Sequence, residues 1–265
     1  MSVPAGLQPS RAELPRRLVE TLGLMLAEDV STRLSAVAGQ LGVRIEFCDG
    51  LDGLQGQAVM DSGGGGARIY VDRSLALCDR RMTVAHELAH VLLAQVDVHR
   101  WLSRPLDVGG GREEERLCDE VAASLLVPES ALIGQVEGLS LRQLMETAAV
   151  WQVPLGAVVD RLVQLRFRPL PLLTLRKVRS RWTPTALVGT VGLAPLPTAL
   201  QLQVPLDVLE VGAFAWSRVG LSVLGGSVRG VGEIHRLPNS LAYLLWPVQP
   251  QEARVQSAAS AALAR

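Results

Sequence analysis

The sequence lacks the features that direct a chain to a membrane or to nucleic acid. It has no apolar run of about 18 residues, and residues 1–10 lack the apolar core of a signal peptide. The 265 residues carry a formal net charge of zero, and Lys177 is the only lysine, so no long-range field attracts a polyanion. These absences predict a soluble cytoplasmic protein with no membrane partner, for which direct DNA binding is not the primary role.

Cysteine is scarce, and a phosphate-binding loop is missing. The three cysteines, Cys48, Cys78 and Cys118, form neither a CxxC pair nor an even set, which is typical of buried, reduced thiols. The glycine run 63–66 is not followed by the Lys-Ser/Thr pair of a phosphate-binding loop. Apolar residues, by contrast, make up 48% of the chain, which argues against disorder and allows one to three small domains.

The most informative segment covers residues 79–94 and contains the pattern HExxH. Asp79 is suited to cap a helix, no Pro or Gly follows it in the segment, and apolar residues recur at three- and four-residue steps. On such a helix His86 and His90 lie one turn apart on one face, an arrangement that suits a tetrahedral zinc ion. Glu87 is the natural general base, because it can reach a water molecule at the metal without binding the metal itself.

A third metal ligand is predicted on a second helix, which covers residues 113–127 and ends before a proline. Glu115 and Asp119 are four residues apart and share a face. In a Glu-zincin site the first carboxylate binds zinc, and the second holds a ligating histidine by its other ring nitrogen. Glu113 and Glu114 are weaker candidates, since neither has an acidic or amide residue four positions on. The alternative interpretation is a solvated helix start whose acids complement the helix dipole.

The two segments together resemble the ImmA/IrrE-type zinc metallopeptidases. The resemblance is carried by residues 83–90, which read TVAHELAH, and by residues 115–128, which read ERLCDEVAASLLVP. Val127 stands where the family pattern has methionine, and the Leu-Cys-Asp variant at 117–119 is most similar to the IrrE (PprI) branch of Deinococcus-type bacteria. The resemblance extends over residues 10–165 and is weak for the remainder.

This resemblance implies a zinc-dependent endopeptidase of the Glu-zincin type. His86, His90 and Glu115 would be zinc ligands and Glu87 the catalytic base, with manganese as an alternative metal in the cell. Family members cleave a helix-turn-helix repressor and so induce genes, in the IrrE branch after radiation or desiccation damage. We therefore expect a protein substrate of this kind and a role in a stress or DNA-damage response. The competing interpretation is a non-proteolytic regulator that binds DNA or a protein partner; such a protein would not need Glu87.

The predicted fold class is α+β, with a minimal zincin-like domain over residues 1–128. Its expected order is two helices, three short strands, the HExxH helix, a long loop over 95–112 and the glutamate helix. The strand before the HExxH helix, residues 68–72, is expected at the sheet edge over the cleft, where it could pair with a substrate strand. Tyr70 and Val71 are thus candidate substrate contacts, although Tyr70 equally fits an ordinary exposed strand residue.

A helical module is predicted over residues 129–168, with Ser140 capping a helix that ends near Trp151 and a second helix over 155–167. Two helices joined by so short a turn form a helix-turn-helix-like shape. The second helix offers arginines but no strong basic stripe, so packing or partner docking is favoured over DNA reading. We expect Arg161 and Arg166 to contact a folded substrate.

Residues 169–265 are predicted to form a C-terminal α+β domain. Short strands broken by Gly, Pro and Ser dominate this segment, and a helix is expected over residues 206–216. In the IrrE branch this part of the chain is similar to GAF sensor domains, and a GAF-like sensor is the corresponding expectation here. The Ala-rich tail after residue 249 is expected to fray.

Overall fold

The structure is a computed structural model with a mixed α+β fold. The residues that it describes are 13–22, 30–61, 66–96, 111–127, 129, 132, 140–165, 170–188, 199–202, 206–223 and 226–248. The chain divides into two compact units, residues 1–132 with 148–164 and residues 133–147 with 165–265. The domain boundaries predicted at residues 128 and 168 remain predictions. No helix in the described part of the chain is both long and apolar enough to cross a membrane.

The first unit contains the predicted succession of helices and strands. In chain order these are α1 (Leu14–Thr21), α2 (Val30–Gln40), β1 (Val43–Cys48), β2 (Gly56–Met60), β3 (Ala67–Asp72), α3 (Leu77–Gln95), α4 (Arg112–Leu126) and α6 (Leu155–Gln164). Helix α3 contains the HExxH pattern and α4 contains the glutamate motif. The expected loop over residues 95–112 lies almost wholly outside the described residues, as do residues 62–65, which include most of the glycine run, and most of residues 129–136.

The sheet of the first unit has the order β1-β3-β2, so β3 is its central strand. Strand β1 pairs with β3 in parallel and β2 pairs with it antiparallel, each along nearly its full length. The expectation that residues 68–72 form the edge strand is therefore wrong. Period-two alternation predicts which side chains face the core, and Ile69 and Val71 are indeed fully buried, but it carries no information about the order of strands.

Helices α3 and α4 pack against each other. Leu88, Ala89 and Leu92 on α3 and Leu117 and Val121 on α4 are all at most 2% exposed. Each fully buried leucine contributes roughly 1.5–3 kcal/mol relative to an exposed one, so the buried faces of both helices stabilise the unit. The packing fixes the two motif-bearing helices side by side.

Helix α3 begins two residues earlier than its predicted cap. Ala76 occupies the N-cap position without a side-chain hydrogen bond, and Asp79 lies inside the first turn, so the prediction that Asp79 caps the helix is wrong. Its carboxylate still complements the positive end of the helix dipole. The Thr83 hydroxyl donates to the Asp79 carbonyl oxygen at 2.9 Å, which fixes the threonine rotamer on the next turn.

The C-terminal end of α4 is held by two buried arginines. Arg33 of α2 donates to the Leu125 carbonyl oxygen at 2.6 Å, and Arg161 of α6 donates through Nε to the Val127 carbonyl oxygen at 3.1 Å. Arg161 also donates to the Ser124 hydroxyl and to the Gln164 side chain. Burial lowers the pKa of Arg161 to about 10. Arg161 is therefore a structural residue, and the expectation that it contacts a substrate is wrong; Arg166 lies outside the described residues.

Helix α5 (Leu141–Trp151) spans the division between the two units. Its start matches the predicted cap at Ser140. The Ser140 hydroxyl accepts the Gln143 N–H at 3.2 Å, and the Gln143 side-chain oxygen accepts the Ser140 N–H at 2.8 Å, which is a capping box. The turn after α5 uses Gln152 at φ +51°. A helix-turn-helix function for α5 and α6 stays a prediction.

The second unit is built on a six-stranded antiparallel sheet. The strands are β4 (Leu172–Val178), β5 (Arg181–Val188), β6 (Ala199–Leu202), β7 (Phe214–Val223), β8 (Gly226–Leu237) and β9 (Leu241–Val248). They are ordered β5-β4-β9-β8-β7-β6. One face of the sheet covers an apolar cluster that includes Leu173, Leu206, Ile234 and Leu244. Similarity of this unit to GAF domains stays a prediction.

The helix expected over residues 206–216 is wrong. A single 3-10 turn, Leu206–Val208, is followed by Gly212 at φ +89° and then by β7. Phe214 and Trp216 are paired with His235 and Glu233 of β8. Pairing with a neighbouring strand thus overrides the local helical pattern, as tertiary context often does.

Candidate metal centre and active site

Helix α3 presents two imidazoles to one point because four residues make slightly more than one turn. The ring centroids of His86 and His90 are 4.9 Å apart, and their Nε2 atoms are 3.2 Å apart. Leu88 and Leu92 on the opposite side of the helix are buried, which fixes the rotation of α3 about its axis. Both Nε2 atoms therefore face the same point beside the helix.

Helix α4 brings the Glu115 carboxylate to the same point. Its Oε2 lies 3.2 Å from His86 Nε2 and its Oε1 lies 3.5 Å from His90 Nε2. One ligand atom from each of His86, His90 and Glu115 falls within 4.8 Å of the others, so these three residues could hold one metal ion. Two imidazole nitrogens and one carboxylate form the donor set of a catalytic zinc site, which leaves a fourth position for water or substrate.

A carboxylate lies behind each histidine. Asp119 Oδ1 is 2.8 Å from His86 Nδ1, and Glu114 Oε1 is 3.3 Å from His90 Nδ1. Each carboxylate favours the tautomer with hydrogen on Nδ1, which leaves the Nε2 lone pair for a metal. The Asp119 arrangement matches the geometry expected from the four-residue spacing.

Glu114 is a residue of the site that sequence analysis missed. Glu114 lacks an acidic or amide residue four positions on, but that criterion tests only for a pair like Glu115 and Asp119. The signal that could have found it is its place directly before Glu115, on the side of α4 that faces the second histidine. Its side chain is only 12% exposed, whereas that of Glu115 is 50% exposed.

The electrostatics of the centre favour positive charge. Burial of the His86 imidazole opposes its protonation, but the hydrogen bond to Asp119 and the charges of Asp119, Glu87 and Glu115 outweigh burial, so the pKa of His86 is raised. The same acids surround Cys118, whose side chain is fully buried. Burial, reinforced by these negative charges, raises the pKa of the Cys118 thiol far above its usual value, which favours the neutral thiol. Cys118 is not among the residues whose ligand atoms converge.

Glu87 lies next to the start of strand β2 and outside the ligand cluster. A Cβ atom built on Gly56 would come 3.4 Å from the Glu87 Cγ atom. The methylene groups of Glu87 thus lie beneath Gly56, the first residue of the edge strand β2, and the Glu87 side chain is half-buried. This is a suitable position for a general base that serves a reaction between the strand and the metal centre.

Tyr70 and Val71 are not brought to this centre. The Val71 side chain is fully buried in the core, and Tyr70 lies on the opposite face of the sheet, since successive strand residues alternate. Tyr70 is paired with Glu46 on one side and with Gln57 on the other, so β3 has no open edge for a peptide.

All three cysteines are free, as predicted. Cys118 is buried, whereas Cys48 and Cys78 are half-buried, so the expectation of buried thiols applies fully only to Cys118.

A mixed α+β unit that joins an HExxH helix to a glutamate helix defines the zincin-like class of metallopeptidase domains. Residues 38–163 match the Peptidase_M78 family model, described as the IrrE N-terminal-like domain. The match supports the ImmA/IrrE family and a metallopeptidase domain for this part of the chain; a specific kinship with the Deinococcus branch stays a prediction.

No curated protein matches the chain. Among solved structures, a Mycobacterium tuberculosis transcriptional regulator is similar at 17% identity and a TM-score of 0.46, over 88% of this chain and 74% of that chain.

Proposed function

We propose that the protein is a zinc-dependent metalloendopeptidase in which His86, His90 and Glu115 hold the metal and Glu87 is the general base. The single observation that carries the proposal is the convergence of the two histidine Nε2 atoms and the Glu115 carboxylate, with a carboxylate on the Nδ1 of each imidazole. A purely structural metal site would not need an acid such as Glu87 beside a half-exposed centre, next to the edge strand β2.

The donor set fits zinc. Neutral imidazole nitrogens suit zinc well, and a single carboxylate oxygen completes the three-ligand set of a catalytic site. Manganese, which accepts the same donors, is the alternative metal in the cell. When bound, the cation would supply Lewis acidity, which lowers the pKa of a water molecule and polarises a substrate carbonyl.

The remaining chemistry belongs to protein side chains. Glu87 accepts the proton of the attacking water and returns it to the amine nitrogen that leaves when the peptide bond breaks. Asp119 and Glu114 hold the imidazole rings in place through Nδ1. In this proposal Asp119 and Glu114 are positioning residues, and Glu87 is the proton carrier.

Substrate pairing is assigned to the edge of β2 instead of β3. The Asp72 N–H donates to the Gln55 carbonyl oxygen at 2.9 Å, so Gln55 forms a hydrogen-bonded pair across to β3. In an antiparallel ladder such pairs alternate, and Gln57 is therefore the next one. The backbone groups of Gly56 and Ala58 point away from β3, where no other described strand pairs with them, and they can accept an extended peptide.

The finer proposal is that the substrate is a helix-turn-helix repressor whose cleavage induces stress or DNA-damage genes in the cytoplasm. Its support is the match of residues 38–163 to the IrrE N-terminal-like domain. Backbone pairing orients a peptide but hardly reads its sequence, so the selection of one repressor requires contacts beyond β2.

The decisive experiment compares wild type with Glu87→Gln and Glu115→Ala. Metal analysis of the purified proteins should find zinc in wild type and Glu87→Gln and much less in Glu115→Ala. Only the wild type should cleave a fluorogenic peptide library or a purified helix-turn-helix repressor from the same organism. Cleavage by Glu87→Gln at the wild-type rate, or full zinc occupancy in Glu115→Ala, would contradict the assigned roles.

A further inference from the structure

We infer that Gly56 is a positioning residue, which allows the edge strand β2 to lie directly on the HExxH helix and so sets the spacing between the strand edge and Glu87. The inference rests on the proposed peptidase function and adds to it a determinant of substrate binding.

The space beside Gly56 is already filled. A Cβ atom at this position would lie 2.4 Å from the Thr83 Cγ2 atom, 3.2 Å from the Tyr70 carbonyl oxygen and 3.4 Å from the Glu87 Cγ atom. The first distance is shorter than carbon atoms tolerate, so any larger residue requires β2 or α3 to move. Gly56 does not adopt positive φ, so the requirement for glycine is steric and not conformational.

Thr83 cannot easily give way. It is 7% exposed, and its hydroxyl donates to the Asp79 carbonyl oxygen one turn earlier in α3. That hydrogen bond fixes the χ1 angle, and a β-branched side chain with fixed χ1 has a fixed methyl direction. The Thr83 methyl group therefore limits how closely the backbone of β2 can approach α3.

The contact matters for the reaction because of where it lies. Thr83 and Glu87 are four residues apart and share a face of α3, so one helix surface carries both the methyl group that contacts β2 and the general base. Gly56 is also one of the β2 residues whose backbone groups point away from β3. A peptide that pairs with this edge is thus held at a distance from Glu87 that the contact between Gly56 and Thr83 determines.

The test uses two zinc-binding probes of different length on the zinc-loaded full chain. Acetohydroxamate reaches the metal alone, whereas a peptide hydroxamate also pairs with the strand edge. The added methyl group of Gly56→Ala overpacks the contact with α3 and displaces β2. The affinity for the peptide hydroxamate should therefore fall about tenfold, and that for acetohydroxamate by less than about twofold. Zinc content should stay that of the wild type.

A compensating substitution separates positioning from general damage. Thr83→Ser removes the Cγ2 atom and keeps the hydroxyl, so the double variant Gly56→Ala/Thr83→Ser should recover most of the lost affinity for the peptide hydroxamate. The matched control is Gly39→Ala on α2, where an added Cβ meets nothing within 4 Å and both affinities should be unchanged.

The outcomes distinguish this inference from the proposed function. Three results would overturn the role of Gly56 without contradicting the peptidase proposal. They are unchanged binding of the peptide hydroxamate by Gly56→Ala, an equal loss of affinity for both probes, and no recovery of affinity in the double variant. A wild-type protein that holds zinc but binds neither probe would contradict both the peptidase proposal and the inference built on it.

Discussion

At the residue scale, the side chains of the candidate metal centre come from short stretches of two helices. His86, His90 and Glu87 lie within five residues of α3, where spacing alone determines which side chains share a face, so this grouping is predictable from the sequence. Glu115 and Asp119 are predictable for the same reason on α4. Glu114 is different, because its contact with His90 depends on how α3 and α4 pack side by side, and no spacing within one helix contains that information.

The two positioning carboxylates give a matched prediction. Asp119→Ala and Glu114→Ala should each weaken zinc binding by about 10- to 100-fold, the usual effect of removing a carboxylate that orients a ligating histidine. Competition with a chromophoric chelator measures this affinity. Glu113→Ala is the control, since Glu113 is an exposed neighbour outside the ligand cluster and its loss should leave affinity unchanged. If Glu114→Ala behaves like Glu113→Ala, Glu114 has no role at His90.

At the element scale, the alternation within each strand was predictable and the order of the strands was not. Strand periodicity correctly predicts that Ile69 and Val71 are buried. β3 is nevertheless central, because β1 pairs with one of its edges in parallel and β2 pairs with the other antiparallel. A parallel neighbour needs a crossover, and the crossover path cannot be read from residues 67–72 alone. Arg161 shows the same limit, because a cation on an apolar helix face appears exposed until its carbonyl partners are known.

The buried position of Arg161 predicts a loss of stability. Arg161→Ala leaves the Val127 carbonyl oxygen without its donor and removes the bonds to Ser124 and Gln164. An unsatisfied buried acceptor costs about 1–3 kcal/mol, so the free energy of unfolding should fall by at least that amount in urea denaturation. Arg44→Ala, on the exposed side of β1, should change it little. Equal effects of the two substitutions would show that the Arg161 contacts add no stability.

At the scale of the whole molecule, neither unit is one continuous stretch of the chain. Residues 133–147 group with residues 165–265, although they precede the predicted boundary at residue 168. One contact within this unit joins residues 92 positions apart: the buried carboxylate of Glu233 on β8 accepts the Leu141 N–H at 2.6 Å. Beside it, Arg142 lies over the Phe214 ring, which stacks on His235. Contacts between residues so distant in sequence have no local signature.

Glu233 should make the stability of this unit depend on pH. Burial raises the pKa of Glu233 above its ordinary value of 4.5, while the Leu141 N–H and the charge of Arg142 oppose the shift without cancelling it. The folded state therefore binds the proton more tightly than the unfolded state does. The stabilisation from this group is complete below the unfolded pKa and is lost as pH rises through the folded pKa.

Glu233→Gln tests this linkage, because glutamine stays neutral and its side-chain oxygen can still accept the Leu141 N–H. The thermal midpoint of the variant should exceed that of wild type at neutral pH, and the difference should shrink as pH falls below the ordinary glutamate range. Glu210→Gln, at an exposed position in the same unit, should show no such trend. A difference between Glu233→Gln and wild type that stays constant with pH would mean that Glu233 titrates alike in the folded and unfolded chains, and that burial at the start of α5 does not favour its neutral form.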